Sequence, residues 1–152
     1  PGPQERPQRS APPPPDPELR RIAVLDRFAV GVPDGWGGGT SGGAVVFRAP
    51  SLDGSLRIFL EPGTTGRARL YERAKGFISA EHPGAKVRRK ARGRLGEHRA
   101  IRLAVNHESG KQWAALLTAG GYTYFVIAEA GDGAPRTVRA ASVAALRSFR
   151  PL

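Results

Sequence analysis

The sequence predicts an α+β fold in which a mainly antiparallel sheet lies between flanking helices, as an α/β/α sandwich. Short glycine-containing turns separate consecutive strand-like segments, which is typical of antiparallel hairpins. Two other segments carry apolar residues at helical spacing. The last two strand-like segments are apolar on both faces, and such strands need cover on both sides of their sheet.

Residues 1–17 are predicted to be a disordered, proline-rich linker, and residues 18–152 a single domain. The linker segment holds eight of the fourteen prolines and no large apolar residue, so it cannot bury enough surface to offset its ordering entropy. The run Pro12–Pro15 favours an extended spacer, or alternatively a ligand for an aromatic groove. Because the chain opens at Pro1, we expect it to be part of a longer polypeptide.

The first half of the domain is predicted to be mostly strand. Residues 19–25 fit either a short helix or a strand, whereas 26–32 alternate apolar residues and end at a Pro-Asp-Gly turn. A glycine-rich loop is expected over residues 35–43. Two further strands, 44–50 and 55–62, are expected to form a hairpin because Asp-Gly lies between them.

The second half is predicted to contain two helices around a meander of strands. Residues 66–81 have an apolar helical face, with Thr65 as the expected N-cap and Pro83-Gly84 as the stop. A final helix is expected between Pro135 and Pro151. Glycine turns separate the four strands expected between these helices, which are residues 86–95, 98–107, 111–119 and 122–130.

Charge is the most informative part of the composition. The chain has 24 Lys and Arg residues against 13 Asp and Glu residues, for a net charge of +11. Residues 67–102 alone hold twelve of the basic residues and three of the acidic ones. The chain has no cysteine, which excludes disulfides, thiolate nucleophiles and cysteine metal sites.

The basic strand is the candidate binding site. Its basic residues occupy every second position, so in a regular strand they point to one face about 6.6 Å apart. This pattern predicts a contact strip for an anionic polymer, lipid headgroups or an acidic protein; nucleic acid is a weaker fit because no aromatics interleave the charges. Alternatively, it is a solvated edge strand that blocks aggregation. The five residues of the strip are Lys86, Arg88, Lys90, Arg92 and Arg94.

The sequence favours a position in the core for both tryptophans. Trp36, beside a sharp turn, is either a surface aromatic that stacks on a ligand or a residue that folds back onto the core, and the turn favours the core. Trp113, on an apolar strand, is predicted to be a core residue.

The glycine-rich loop matches two motifs literally. Gly37, Gly39 and Gly42 fit GxGxxG, and Ser41 lies at the centre of a GxSxG match. Both motifs require a helix directly after the loop, whereas a strand is expected there. We therefore predict neither a dinucleotide site nor a nucleophile elbow, and no cofactor.

The three histidines are not expected to form a metal site. His98 and His107 lie near opposite ends of one predicted strand, about 30 Å apart. His82 completes the set, and no HxH or HxxxH spacing occurs. We therefore expect no metal site and no catalytic constellation.

Three short stretches carry a family resemblance. RFAVGVPDGW (27–36) resembles the opening of PsbP-like and Mog/LpqN-like domains, GGYTYFVIAEA (120–130) their penultimate strand, and SFRP (148–151) the end of their last helix. The resemblance implies an α/β/α sandwich in a non-enzymatic accessory subunit, lipoprotein or partner-binding module, with no active-site residues to carry over. In actinobacteria, similar domains also follow a proline-rich linker outside the membrane in membrane-anchored Ser/Thr kinases.

The leading hypothesis is a non-enzymatic binding, sensor or accessory domain that is extracytoplasmic and faces the cell envelope. It would meet the membrane only through an N-terminal anchor outside this sequence, for example as the C-terminal part of a Ser/Thr kinase. One alternative is a cytoplasmic domain that binds nucleic acid or acidic protein. A remote alternative is a serine hydrolase that uses Ser41.

Overall fold

The computed structural model describes residues 17–152; the linker prediction, apart from Pro17, lies outside the described residues. Ten strands and two helices follow one another in these residues. They are β1 (Leu19–Val24), β2 (Phe28–Pro33), β3 (Gly37–Ser41), β4 (Ala44–Arg48), β5 (Gly54–Pro62), α1 (Arg67–Glu81), β6 (Lys86–Leu95), β7 (His98–His107), β8 (Gly110–Ala119), β9 (Tyr122–Gly131), α2 (Arg136–Ser148) and β10 (Arg150–Pro151).

Seven strands form the main antiparallel sheet, in the order β3-β4-β5-β9-β8-β7-β6, and β1, β2 and β10 form a small second sheet. Helix α1 packs on one face of the main sheet, while α2 and the small sheet cover the other. The predicted α+β class with flanking helices is confirmed. Neither described helix has the length and apolarity needed to cross a bilayer.

The central strands β8 and β9 bury both of their faces, as the sequence predicts. Leu117 and Val126 belong to the core under α2, whereas their neighbours Leu116 and Ile127 belong to the core under α1. Successive side chains of a strand point to opposite faces, so two separate apolar cores form on one sheet. The predicted meander β6–β9 is confirmed, with strand limits that differ by at most one residue.

The ambiguous segment at the start of the domain is a strand. β1 pairs antiparallel with β2 over its whole length. Leu25, Asp26 and Arg27 join the two strands, and the first two have positive φ angles of 53° and 52°. Four of the six residues of β1 are exposed, whereas every residue of β2 is buried.

The glycine-rich loop prediction is wrong for Gly37–Ser41, because these residues form β3 and pair with β4. Pairing is made by backbone groups, so a strand exposed along its whole length needs no apolar side chains. The turn between β3 and β4 is Gly42-Gly43, whose φ angles of 59° and 82° suit a two-residue hairpin turn.

The predicted N-cap is also wrong, because Gly66 caps α1 and no side chain bonds its first turn. The hydroxyl of Thr65 instead accepts a hydrogen bond from Arg73 at 3.3 Å. The first turn of α1 therefore keeps unpaired N–H groups and holds no acidic residue.

Trp36 is a core residue and not a surface aromatic. It is 7% exposed and packs with Phe47 and Val138. The physical reason is the preceding turn, in which the Trp36 N–H donates to the Pro33 carbonyl at 3.1 Å and folds the chain back. Trp113 was expected in the core but is only half-buried, because one side packs on the core and the other faces a cleft.

Close packing at the start of β8 predicts a large effect for Gly110→Ala. A Cβ at this position would lie 2.3 Å from the carbonyl oxygen of Ala130, which belongs to the neighbouring backbone and cannot move aside alone. We expect the free energy of unfolding to fall by about 2 kcal/mol, measured by denaturant titration.

The matched control is Gly39→Ala, in exposed strand β3, where a Cβ meets nothing within 4 Å. We expect its unfolding free energy to stay within about 0.5 kcal/mol of the parent value. Equal stability of the two variants would contradict the packing at Gly110.

Candidate functional site

Strand β6 is the edge strand of the main sheet and carries the candidate basic site. Six of its ten residues are Lys or Arg, and all six side chains are exposed. On its inner side β6 pairs with β7, and its outer side has no partner strand in the described part of the chain.

A β-bulge divides these basic residues between the two faces of the sheet. The pairing steps from Val87↔Val105 to Arg89↔Ala104, so Arg88 is the extra residue. Beyond the bulge, Lys90 pairs with Leu103, on the α1 face, whereas Arg89 falls on the α2 face.

The expectation that all five residues of the strip share one face is therefore wrong. Lys90, Arg92 and Arg94 share the α1 face, but Lys86 lies before the bulge and pairs with Asn106, which puts it on the opposite face. The cause is a one-residue register shift, which exchanges the faces of every residue on one side of it.

On the α1 face, four arginines line a cleft of about 330 Å³. Arg67 is the first residue of α1, and the others come from β6 and β7: Arg92, Arg94 and Arg99. Lys90 lies next to this cleft and places its Nζ 3.7 Å from the centre of the Tyr71 ring. The unpaired N–H groups at the start of α1 add to the positive potential here.

On the α2 face, a second cleft of about 290 Å³ is also lined by arginines. They come from three elements and are Arg88 and Arg89 of β6, Arg102 of β7 and Arg147 of α2. The ring of Trp113 forms part of the wall.

The arginines of the two clefts have no acidic partners. Over residues 17–152, every ion pair involves Arg57, Arg73, Lys75 or a histidine. The positive charge at the β6 edge is therefore uncompensated and available to an anion.

A different polar cluster lies under the C-terminal end of α1. Arg57 of β5 donates two hydrogen bonds to Glu81, at 2.6 and 2.5 Å, and lies 3.6 Å from Glu129. Gln112, which is buried, donates to both carboxylates. The hydrogen bonds from Arg57 are the main reason why the pKa of Glu81 is lowered. The cluster opens into a cleft of about 400 Å³.

Two histidines stack beside this cluster, an arrangement that their spacing in the sequence does not indicate. The rings of His82 and His107 are 3.8 Å apart and 14° from parallel. His98 lies at the far end of β7, as predicted. Sequence spacing misses the pair because His82 ends a helix and His107 ends a strand, and only the return of the chain to the sheet brings them together.

The arrangement of these rings is poorly suited to holding one metal ion between them. His82, His107 and Glu129 have ligand atoms within 4.8 Å of one another. However, nearly parallel rings cannot both direct in-plane lone pairs at one ion. His107 Nδ1 also accepts the Ser109 N–H at 3.2 Å, so only Nε2, 3.2 Å from Glu129, is left on this ring for another contact.

The structure assembles no nucleophile–base pair at these histidines. In residues 17–152 no hydroxyl group bonds to either imidazole; Ser109 contributes only its backbone N–H. Ser41 lies at the exposed end of β3 and a hairpin turn follows it, so the strand-to-helix turn of a nucleophile elbow is not formed.

Solved structures share this fold. The chain is similar to cyanobacterial PsbP (CyanoP) from Synechocystis, with a TM-score of 0.66 and 18% identity over 95% of this chain and 99% of that chain. It is also similar to LpqN of Mycobacterium tuberculosis, described as involved in cell envelope biogenesis, with a TM-score of 0.58 and 19% identity over 82% of each chain.

A protein from Bacteroides thetaiotaomicron matches with a TM-score of 0.58 and 12% identity, over 89% of this chain and 49% of that one. The sequence matches no family model and no curated protein. The predicted resemblance to PsbP-like and LpqN-like domains is confirmed at the level of the fold.

The Arg57–Glu81 pair predicts a pH dependence of stability. Because the pKa of Glu81 is lowered in the folded state, the carboxylate stabilises the fold above its unfolded pKa of about 4.3. This stability is lost as the pH falls through the lower, folded-state pKa. We expect Glu81→Gln to lower the unfolding free energy by about 1 kcal/mol at pH 7 and to flatten its acid dependence.

Chemical denaturation at pH 7 and at pH 3 measures this effect. Glu72→Gln is the matched control, since Glu72 is also on α1 but is mostly exposed and pairs only with Lys75. We expect the control to keep the parent pH dependence. If the unfolding free energy of Glu81→Gln falls between pH 7 and pH 3 as much as that of the parent, the role assigned to the Arg57–Glu81 pair is contradicted.

Proposed function

We propose that the chain is a non-enzymatic binding or accessory domain that contacts an anionic partner through the β6 edge. The observation that carries this proposal is the convergence of arginines from β6, β7, α1 and α2 on that edge, where none of them has an acidic partner within residues 17–152. Such a concentration of like charge repels itself, and an anionic partner would relieve that repulsion.

The alternative of a merely solvated edge explains fewer of these residues. Charges on β6 itself suffice to block edge-to-edge association. Arg67, Arg99 and Arg147 lie on other elements, yet their side chains line the same two clefts. Edge protection does not require them, whereas anion binding uses them directly.

An extracytoplasmic location at the cell envelope is part of the proposal. The similarity in fold to LpqN, described as involved in cell envelope biogenesis, supports it. Attachment to a membrane-anchored protein, such as a Ser/Thr kinase, would follow from the proline-rich linker predicted for residues 1–17. In this setting the partner would be an anionic envelope polymer, a lipid headgroup or an acidic protein.

Nucleic-acid binding along the α1 face is the less favoured alternative, because this face offers no free aromatic ring on which bases could stack. Tyr71 is the aromatic residue nearest the basic strip on this face, and Lys75 and Lys90 lie over its ring at 4.9 and 3.7 Å. Bases would have to displace both ammonium groups before they could stack.

Charge reversal tests the proposed surface. The variant Lys90→Glu, Arg92→Glu, Arg94→Glu removes the α1-face charges of β6, which make no ion pairs in the described chain. We expect it to leave a heparin column at a much lower salt concentration than the parent and to lose binding to vesicles that contain phosphatidylglycerol.

The control variant is Arg20→Glu, Arg21→Glu, Arg136→Glu, which changes the net charge by the same amount at exposed residues of other elements. It should stay close to the parent in both assays, and thermal unfolding should show that both variants are folded. Equal losses in the two variants would mean that only net charge matters and would overturn the proposed site.

A further inference from the structure

The register of four strands determines the shape of the α2-face cleft, which is the arginine-lined cleft of about 290 Å³ that contains Trp113. Arg89, Ala104, Trp113 and Ala128 are successive cross-strand partners on β6, β7, β8 and β9, so they form one row across the sheet. The small Ala104 lies between two large side chains and leaves a hollow. Arg147, in the last turn of α2, lines the hollow from above the sheet.

The hollow combines one aromatic wall with several positively charged side chains. Trp113 is half-buried, and Arg139 of α2 lies 5.8 Å from the centre of its ring. Arg88, Arg89, Arg102 and Arg147 complete the lining. Among the residues described here, none of these five arginines forms an ion pair.

These features define the chemistry of a complementary ligand. Guanidinium groups bind phosphate oxygens in a bidentate manner, and several of them together match a group with more than one negative charge. A tryptophan wall suits the face of a sugar or another ring. A volume near 300 Å³ is at the lower end of the range for small-molecule sites, so it fits one ring with its phosphate.

We propose that the α2-face cleft binds a phosphorylated sugar ring, with the ring against Trp113 and the phosphate between Arg89, Arg102 and Arg147. This inference rests on the proposed function, because it names the group by which the domain recognises its anionic partner. The sugar phosphate is either a free molecule or a unit of an envelope polymer.

The α1-face cleft lacks this combination and serves as the internal comparison. It is lined by arginines and small or aliphatic residues only. It can attract phosphate but offers no ring surface, so it should not distinguish a sugar phosphate from inorganic phosphate.

Tryptophan fluorescence measures binding at the α2-face cleft directly. The chain has two tryptophans, and Trp36 is buried in the core. In a Trp36→Phe variant that is still folded by circular dichroism, Trp113 is the single reporter. If Trp36→Phe fails to fold, 19F labelling of the tryptophans in the parent chain gives the same readout.

Glucose 6-phosphate is the probe, with glucose and inorganic phosphate as its separate parts. We expect saturable quenching by glucose 6-phosphate, at least tenfold weaker binding of inorganic phosphate and no effect of glucose. Phosphomannan is the second probe. If phosphomannan binds more tightly, the natural ligand is a unit of a polymer. If glucose 6-phosphate binds more tightly, the natural ligand is a free metabolite.

The variant Arg102→Gln, Arg147→Gln should weaken glucose 6-phosphate binding at least tenfold, whereas Arg20→Gln, Arg21→Gln, at exposed positions of β1, should leave it unchanged. If neither probe quenches Trp113, or if inorganic phosphate binds as tightly, the inference is wrong. It also fails if the Arg20 and Arg21 variant loses binding to the same extent as the Arg102 and Arg147 variant.

Heparin retention separates this failure from that of the proposed function. Retention that still depends on Lys90, Arg92 and Arg94 while no sugar phosphate binds would refute the α2-face site and leave the anionic surface in place. If heparin retention does not depend on Lys90, Arg92 and Arg94 and no sugar phosphate binds, both proposals are refuted.

Discussion

The two central strands, β8 and β9, impose the constraint on which the rest of the structure depends. Both faces of these strands are apolar, as the neighbours Leu116 and Leu117 illustrate by belonging to different cores. Exposing either face would leave a large apolar surface in water. Helix α1 must therefore cover one side and α2 with the small sheet the other, and the basic residues of β6 can only be accommodated at the edge.

The position of β6 at the edge explains how one strand can serve two faces. A basic residue in a central strand would need a buried partner, whereas at the edge each charge reaches solvent. The bulge at Arg88 moves Lys86 to the α2 face, whereas Lys90, Arg92 and Arg94 stay on the α1 face. A feature that disrupts one step of pairing thus divides the basic residues between the two faces of the sheet.

The sequence predicts the strand meander closely because turn glycines limit each strand and apolar pairs show which strands are buried. It does not predict the bulge at Arg88, since a shift of one residue in pairing leaves the composition of the strand unchanged. Contacts between elements that are distant in the sequence cannot be predicted from it either. The stack of His82 on His107 depends on where a helix ends above the sheet, and no spacing rule encodes that position.

The acidic residues explain why the β6 edge remains positively charged. Glu61 pairs with Arg73 of α1, and Glu81 and Glu129 pair with Arg57 of β5. These carboxylates therefore neutralise arginines that lie outside the two clefts. The basic residues with structural partners are therefore neutralised locally, while those of the edge are not. This segregation is difficult to explain as a requirement of folding, because self-repulsion at the edge destabilises the isolated domain. It is the arrangement expected where an anion from outside the chain completes the charge balance.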